Sequence, residues 1–90
     1  MWYTILMQHQ IDKETNTLEV TYVDFFIQII PTDGRVLVNL FLTNKKIRSF
    51  AVLLIPDNLD HTVLEILRQL NIASDANIKK TIITHLTSLQ

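Results

Sequence analysis

Ninety residues, of which 48% are hydrophobic and 19% charged, with no cysteine and a formal net charge of −1, describe one small domain spanning residues 1–90. The cysteine count excludes disulfides, thiol nucleophiles and cysteine-ligated zinc or iron–sulfur centres, and the near-zero charge gives no global pull toward nucleic acid or anionic membrane. A chain this short buries only about 60–65% of the surface its unfolded form exposes, so its core must be rich or shared. The charged fraction also lies below the roughly 25% of typical domains, a hint that part of the surface is covered.

The opening segment, MWYTILMQHQ, has neither the basic start nor the small-residue cleavage site of a signal peptide. Its apolar runs are far shorter than the ~20 residues of a membrane helix, so the expectation is a soluble, cytoplasmic protein. Tyr3, Ile5, Met7, His9 and Ile11 alternate with Thr4, Gln8 and Gln10, the period of two of a half-buried strand. The polar cluster from Asp12 to Asn16 reads as a hairpin loop.

A long strand-like run follows from Thr17 to Ile30. Leu18, Val20 and Tyr22 share one face, but from Phe25 the apolar set moves to odd positions, Phe25, Ile27 and Ile29. Side chains alternate strictly along a strand, so this change predicts a β-bulge or kink near Val23–Phe25. Pro31-Thr32-Asp33-Gly34 reads as a turn, with proline fixing φ and the single glycine supplying a positive φ.

In the third run Val36, Val38, Leu40 and Leu42 oppose Arg35, Leu37, Asn39, Phe41 and Thr43. Asn44-Lys45-Lys46 reads as the next turn. In the fourth run Phe50, Val52 and Leu54 oppose Ile47, Ser49, Ala51, Leu53 and Ile55. These last two strands are apolar on both faces, which predicts a central place in the sheet, and Pro56 ends them.

Asp57 or Asn58 then caps a helix whose stripe is Leu59, Val63, Ile66, Leu67 and Leu70. Asn71 to Ala73 break it. Ser74 caps a second helix, with Asp75 in its first turn and a stripe of Ile78, Ile82, Leu86 and Leu89. The predicted fold is α+β: a four-stranded antiparallel meander followed by two C-terminal helices packed on one face, ββββαα.

No catalytic motif is present, and no cofactor, small-molecule substrate or metal site is indicated. His9, His61 and His85 match no zinc-ligand spacing. His9 reads as a core histidine, His61 as solvated and His85 as a boundary residue, although His61, Asp60 and His85 would be the parts of any metal or catalytic centre. Asp24 interrupts an apolar stretch and is expected to face solvent or accept backbone N–H bonds. A single glycine cannot build a phosphate loop.

The apolar second sheet face carries the functional expectation. Two helices cover one face, which leaves Leu37, Phe41, Ala51 and Leu53 on the other as an interaction surface, because a large exposed apolar face usually marks an interface. The expected function is a non-enzymatic protein–protein interaction or regulatory module, homodimeric through this face or an edge. The alternative is a nucleic-acid-binding module that uses Lys45, Lys46 and Arg48 at the tip of the last hairpin, with Phe41 and Phe50 nearby. Lysines there also suit a guard against edge pairing.

Overall fold

The computed structural model describes residues 7–22, 24–71 and 76–89. The chain runs β1 (Met7–Asp12), β2 (Thr17–Tyr22), β3 (Phe25–Pro31), β4 (Arg35–Leu42), β5 (Lys45–Leu53), α1 (Leu59–Leu70) and α2 (Ala76–Ser88). The five strands form one antiparallel meander in the order β1-β2-β3-β4-β5. The α+β class, the antiparallel sheet and the two following helices agree with the sequence reading. The strand count does not: there are five strands rather than four. The expected start of the first strand at Tyr3 and Ile5, and the Ser74 cap with Asp75, lie outside the described residues.

The extra strand arises where a bulge was expected. The run from Thr17 to Ile30 is two strands, paired with Leu18 opposite Ile29, Val20 opposite Ile27 and Tyr22 opposite Phe25. The chain therefore reverses between Tyr22 and Phe25. Reversal over two residues pairs even positions with odd ones, so the inward set switches parity without any bulge. The carbonyl of Asp24 accepts from the Thr43 N–H at 3.2 Å, which ties this reversal to the next hairpin end.

The turn at Gly34 (φ 77°) matches expectation, and the Thr32 N–H donates to the Arg35 carbonyl at 2.8 Å. The β4–β5 turn falls one residue earlier than predicted. Thr43 and Asn44 both hold positive φ, 50° and 66°, the geometry whose twist suits a two-residue hairpin. Lys45 and Lys46 consequently belong to β5. The β-bulge of this sheet sits here. Leu40 faces Arg48 and Phe41 faces Lys46, so Ile47 is the extra residue. β5, expected at the centre, is the last strand of the meander and therefore an edge, and most of its residues are exposed.

Both helices lie on one side. Leu18, Val20, Ile27, Ile29, Val36, Val38, Leu40 and Val52 of the sheet form a single buried cluster with Val63, Ile66, Leu67 and Leu70 of α1 and Ile78, Ile82 and Leu86 of α2. Burying that many branched side chains, at ~1.5–3 kcal/mol each, is what offsets the ordering of so short a chain. Leu89, expected in the α2 stripe, is exposed beyond the last turn.

The join between the layers is specific. The Asn58 side chain accepts from the His61 N–H at 3.2 Å and caps α1. Asn71 closes the helix in the left-handed conformation. Buried Thr62 donates its hydroxyl to the Leu53 carbonyl at 3.3 Å and accepts from the Ile55 N–H at 3.1 Å. This clasp satisfies the backbone at the end of β5, where Pro56 stops the ladder.

Candidate protein-interaction surface

The register puts Leu37, Phe41, Ala51 and Leu53 on the same face of the sheet, away from the helices. Leu37 faces Ala51 and Arg35 faces Leu53 on β4 and β5, while Ile30 faces Leu37 across β3. The result is an apolar strip, Ile30–Leu37–Ala51, that reaches the β5 edge beside Leu53. Leu53 is 66% exposed and Leu37 is 39% exposed. For a sheet face these are large apolar surfaces left in water.

Phe41 belongs to a second cluster at the other end of the face. Its ring lies 5.7 Å from that of Phe26, tilted by 52°, within the range of favourable edge-to-face pairs. The Lys46 ammonium stands 5.9 Å from the Phe41 ring centroid, close enough for a cation–π contact. Both rings are half-buried.

A polar rank separates the two clusters. Gln10 donates to the Glu19 carboxylate at 2.8 Å. Ser49 donates to the Asn39 side-chain carbonyl at 2.8 Å, and Asn39 donates to Gln28 at 3.3 Å. These side chains sit opposite one another in the ladder. Because they satisfy one another, covering them with a partner leaves fewer unpaired polar groups than their number suggests. Asn39 and Ser49, which the alternation already places on this face, belong to a rank with Gln10, Glu19 and Gln28: polar residues from five strands fall in one line only when the register is set.

Charge is distributed unevenly over this face. Glu19 lies on the β2 side, whereas Arg35 and Lys46 lie on β4 and β5. Arg48 does not join Lys45 and Lys46. It faces Leu40 on the helix side of the sheet, and its guanidinium donates to the Gln69 carbonyl in the last turn of α1. A cation there complements the negative end of the helix. The sequence cluster of three is thus divided, with two lysines exposed and the arginine tying β5 to α1. On the outward side of α1, Arg68 donates to Glu65 at 2.8 Å and holds its carboxyl below the usual carboxylate range.

The histidines occupy three settings. His9 is exposed, not a core residue, because β1 is an edge strand. His61 is exposed in the first turn of α1, as expected. His85 is buried, not a boundary residue, with its Nε2 at 2.8 Å from the Asn16 carbonyl. Among the described residues no group of three or more His, Asp or Glu side chains is placed to hold a metal ion, and no helix is long and apolar enough to cross a membrane. No family model, no curated protein and no solved structure matches the chain.

Proposed function

We propose that this chain is a non-enzymatic interaction module that pairs with a second copy of itself through the outer face of the sheet. The observation that carries the reading is the one-sided fold. Both helices lie on one face, and the other keeps Leu37 and Leu53 in water beside Ile30, Ala51 and the Phe26–Phe41 pair.

Two arguments favour a second copy. Five strands at ~4.8 Å spacing and about seven residues at ~3.3 Å rise give a face of about 550 Å². Two such faces together cover about 1,100 Å², just above the ~1,000 Å² at which a specific interface becomes credible. This size supports a dimer of moderate strength. The second argument is charge. A two-fold axis running along the strands lays β1 and β2 of one copy over β5 and β4 of the other. Glu19 then faces the half of the partner face that carries Lys46 and Arg35, and the two sheets pack aligned as in a sandwich.

A charge exchange tests this arrangement. Glu19→Lys alone and Lys46→Glu alone weaken self-association severalfold, as expected for like charges brought together at an interface, and the double variant recovers it, all measured by sedimentation equilibrium. Weakening in the double variant as large as the sum of the singles contradicts the two-fold pairing. Binding of a single-stranded oligonucleotide at low salt that is lost in Lys45→Glu/Lys46→Glu would replace this reading with nucleic-acid recognition.

A further inference from the structure

β1 and β5 are both edges of the sheet, and they are not equally defended. β5 carries Lys45, Lys46 and a bulge at Ile47, devices that turn other strands away. β1 carries none of them. From Met7 to Asp12 it holds no lysine, arginine or proline, and its register with β2 runs unbroken from Met7–Tyr22 to Asp12–Thr17. Every residue from Gln8 to Asp12 is exposed. Among the described residues, the outer rim of β1 is a straight row of backbone N–H and C=O groups with no strand beside it.

The space beside that rim is shaped as well. On the helix side of the sheet, β1 and α2 leave a cleft of about 350 Å³. His9 and Ile11 stand on its β1 side, and Lys80, Thr81 and Thr84 on its α2 side. The helix layer buries Leu18 and Val20 of β2 but stops short of β1, so Ile11 stays 45% exposed. His85 meets Asn16 in the β1–β2 turn, so α2 leads back from that turn along the strands. Lys80, five residues before His85, then lies about 7.5 Å from that end, toward His9. No Asp or Glu lines the cleft.

We infer that β1 accepts an extended peptide segment of another protein as a sixth, antiparallel strand. Backbone hydrogen bonds to the β1 rim hold the segment, and alternate side chains of it enter the cleft. Antiparallel addition is the more stable pairing per residue. The peptide side chain beside Ile11 is apolar. The next one on the same face is two residues further along. The antiparallel direction carries it away from the turn, to His9 and Lys80, where charge complementarity selects an acidic residue. The segment therefore reads apolar–x–acidic. The cleft lies on the helix side of the sheet, so this site stands whether or not the outer face pairs with a second copy.

The probe is a capped heptapeptide of threonines with valine at its third position and glutamate at its fifth. It is titrated into the whole chain and followed by two-dimensional amide NMR and hydrogen exchange. The expected result is saturable shifts in β1 and at Lys80 and Thr84, with exchange slowed at alternate β1 amides. Two further versions of the peptide are each N-methylated on one alternate set of backbone nitrogens. Only the version methylated on the side facing β1 loses binding. Replacing the glutamate by lysine weakens binding about fivefold, the scale of an exposed ion pair, and Lys80→Glu reverses that preference. Leu37→Asp on the outer face leaves peptide binding unchanged. An absence of saturation, shifts centred on β5 or the outer face, or both methylated versions behaving alike overturns strand addition at β1. Equal binding of the glutamate and lysine peptides, or Lys80→Glu without reversal, overturns the acidic assignment.

Discussion

Two side chains outside the apolar core tie β5 to α1 by hydrogen bonds. Thr62 serves both the Leu53 carbonyl and the Ile55 N–H. Replacing it with valine keeps the volume but leaves two partly buried backbone groups unpaired, so Thr62→Val is expected to cost about 1–3 kcal/mol in urea unfolding. Arg48 joins β5 to the end of α1 through Gln69. Because that contact is exposed, Arg48→Ala is expected to cost less, about 1 kcal/mol in the same assay. Lys45→Ala, at an exposed position, is expected to leave stability within about 0.5 kcal/mol, and Lys46→Ala, which loses the contact with the Phe41 ring, to cost no more than about 1 kcal/mol. The basic run in the sequence gave no hint of this division. Which of three neighbouring cations turns inward depends on a bulge residue that the pattern does not mark.

Elements were legible where turn chemistry or long periodicity announced them. The Pro31–Gly34 turn, the α1 stripe and the Asn58 cap all appear as their residues suggest. The hairpin between Tyr22 and Phe25 was harder to read, because it contains no glycine, proline or asparagine. Its only sequence trace is the switch of the inward set from even to odd positions, which a bulge also produces. The actual bulge at Ile47 is masked because an apolar residue there extends the apparent alternation. β5, read as central from its apolar residues, is an edge because the last strand of a meander has a neighbour on one side only. As an edge, β5 offers unpaired backbone groups, which its lysines and bulge protect from pairing with other chains. Lys45→Val/Lys46→Val is accordingly expected to keep the same circular dichroism while aggregating faster, as followed by light scattering. Unchanged solubility would assign the protection to the bulge alone.

At the scale of the molecule, both helices pack on one face of the sheet, and among the described residues Leu37 and Leu53 of the other face stay exposed. The period-two pattern was enough to place Leu37, Phe41, Ala51 and Leu53 on one face. The Gln10–Glu19 and Gln28–Asn39–Ser49 rank was not legible, because its members are spread over forty residues and meet only through register. The rank makes the outer face a patterned surface, with apolar strips at both ends and self-paired polar groups between them. Such a pattern restricts how a second copy can sit on it.

Sedimentation equilibrium over a concentration series, from below one micromolar to tens of micromolar, tests the self-association most directly when the wild-type chain is compared with Leu37→Asp and Leu53→Asp. The wild type is expected to show a monomer–dimer equilibrium. Each aspartate should weaken it about thirtyfold or more, the effect of losing a ~2 kcal/mol hot spot. Both variants should keep the wild-type circular dichroism and unfolding midpoint, because the positions are exposed in the single chain. A wild-type chain that stays monomeric across the series, or dimerises equally well with either aspartate, would contradict it.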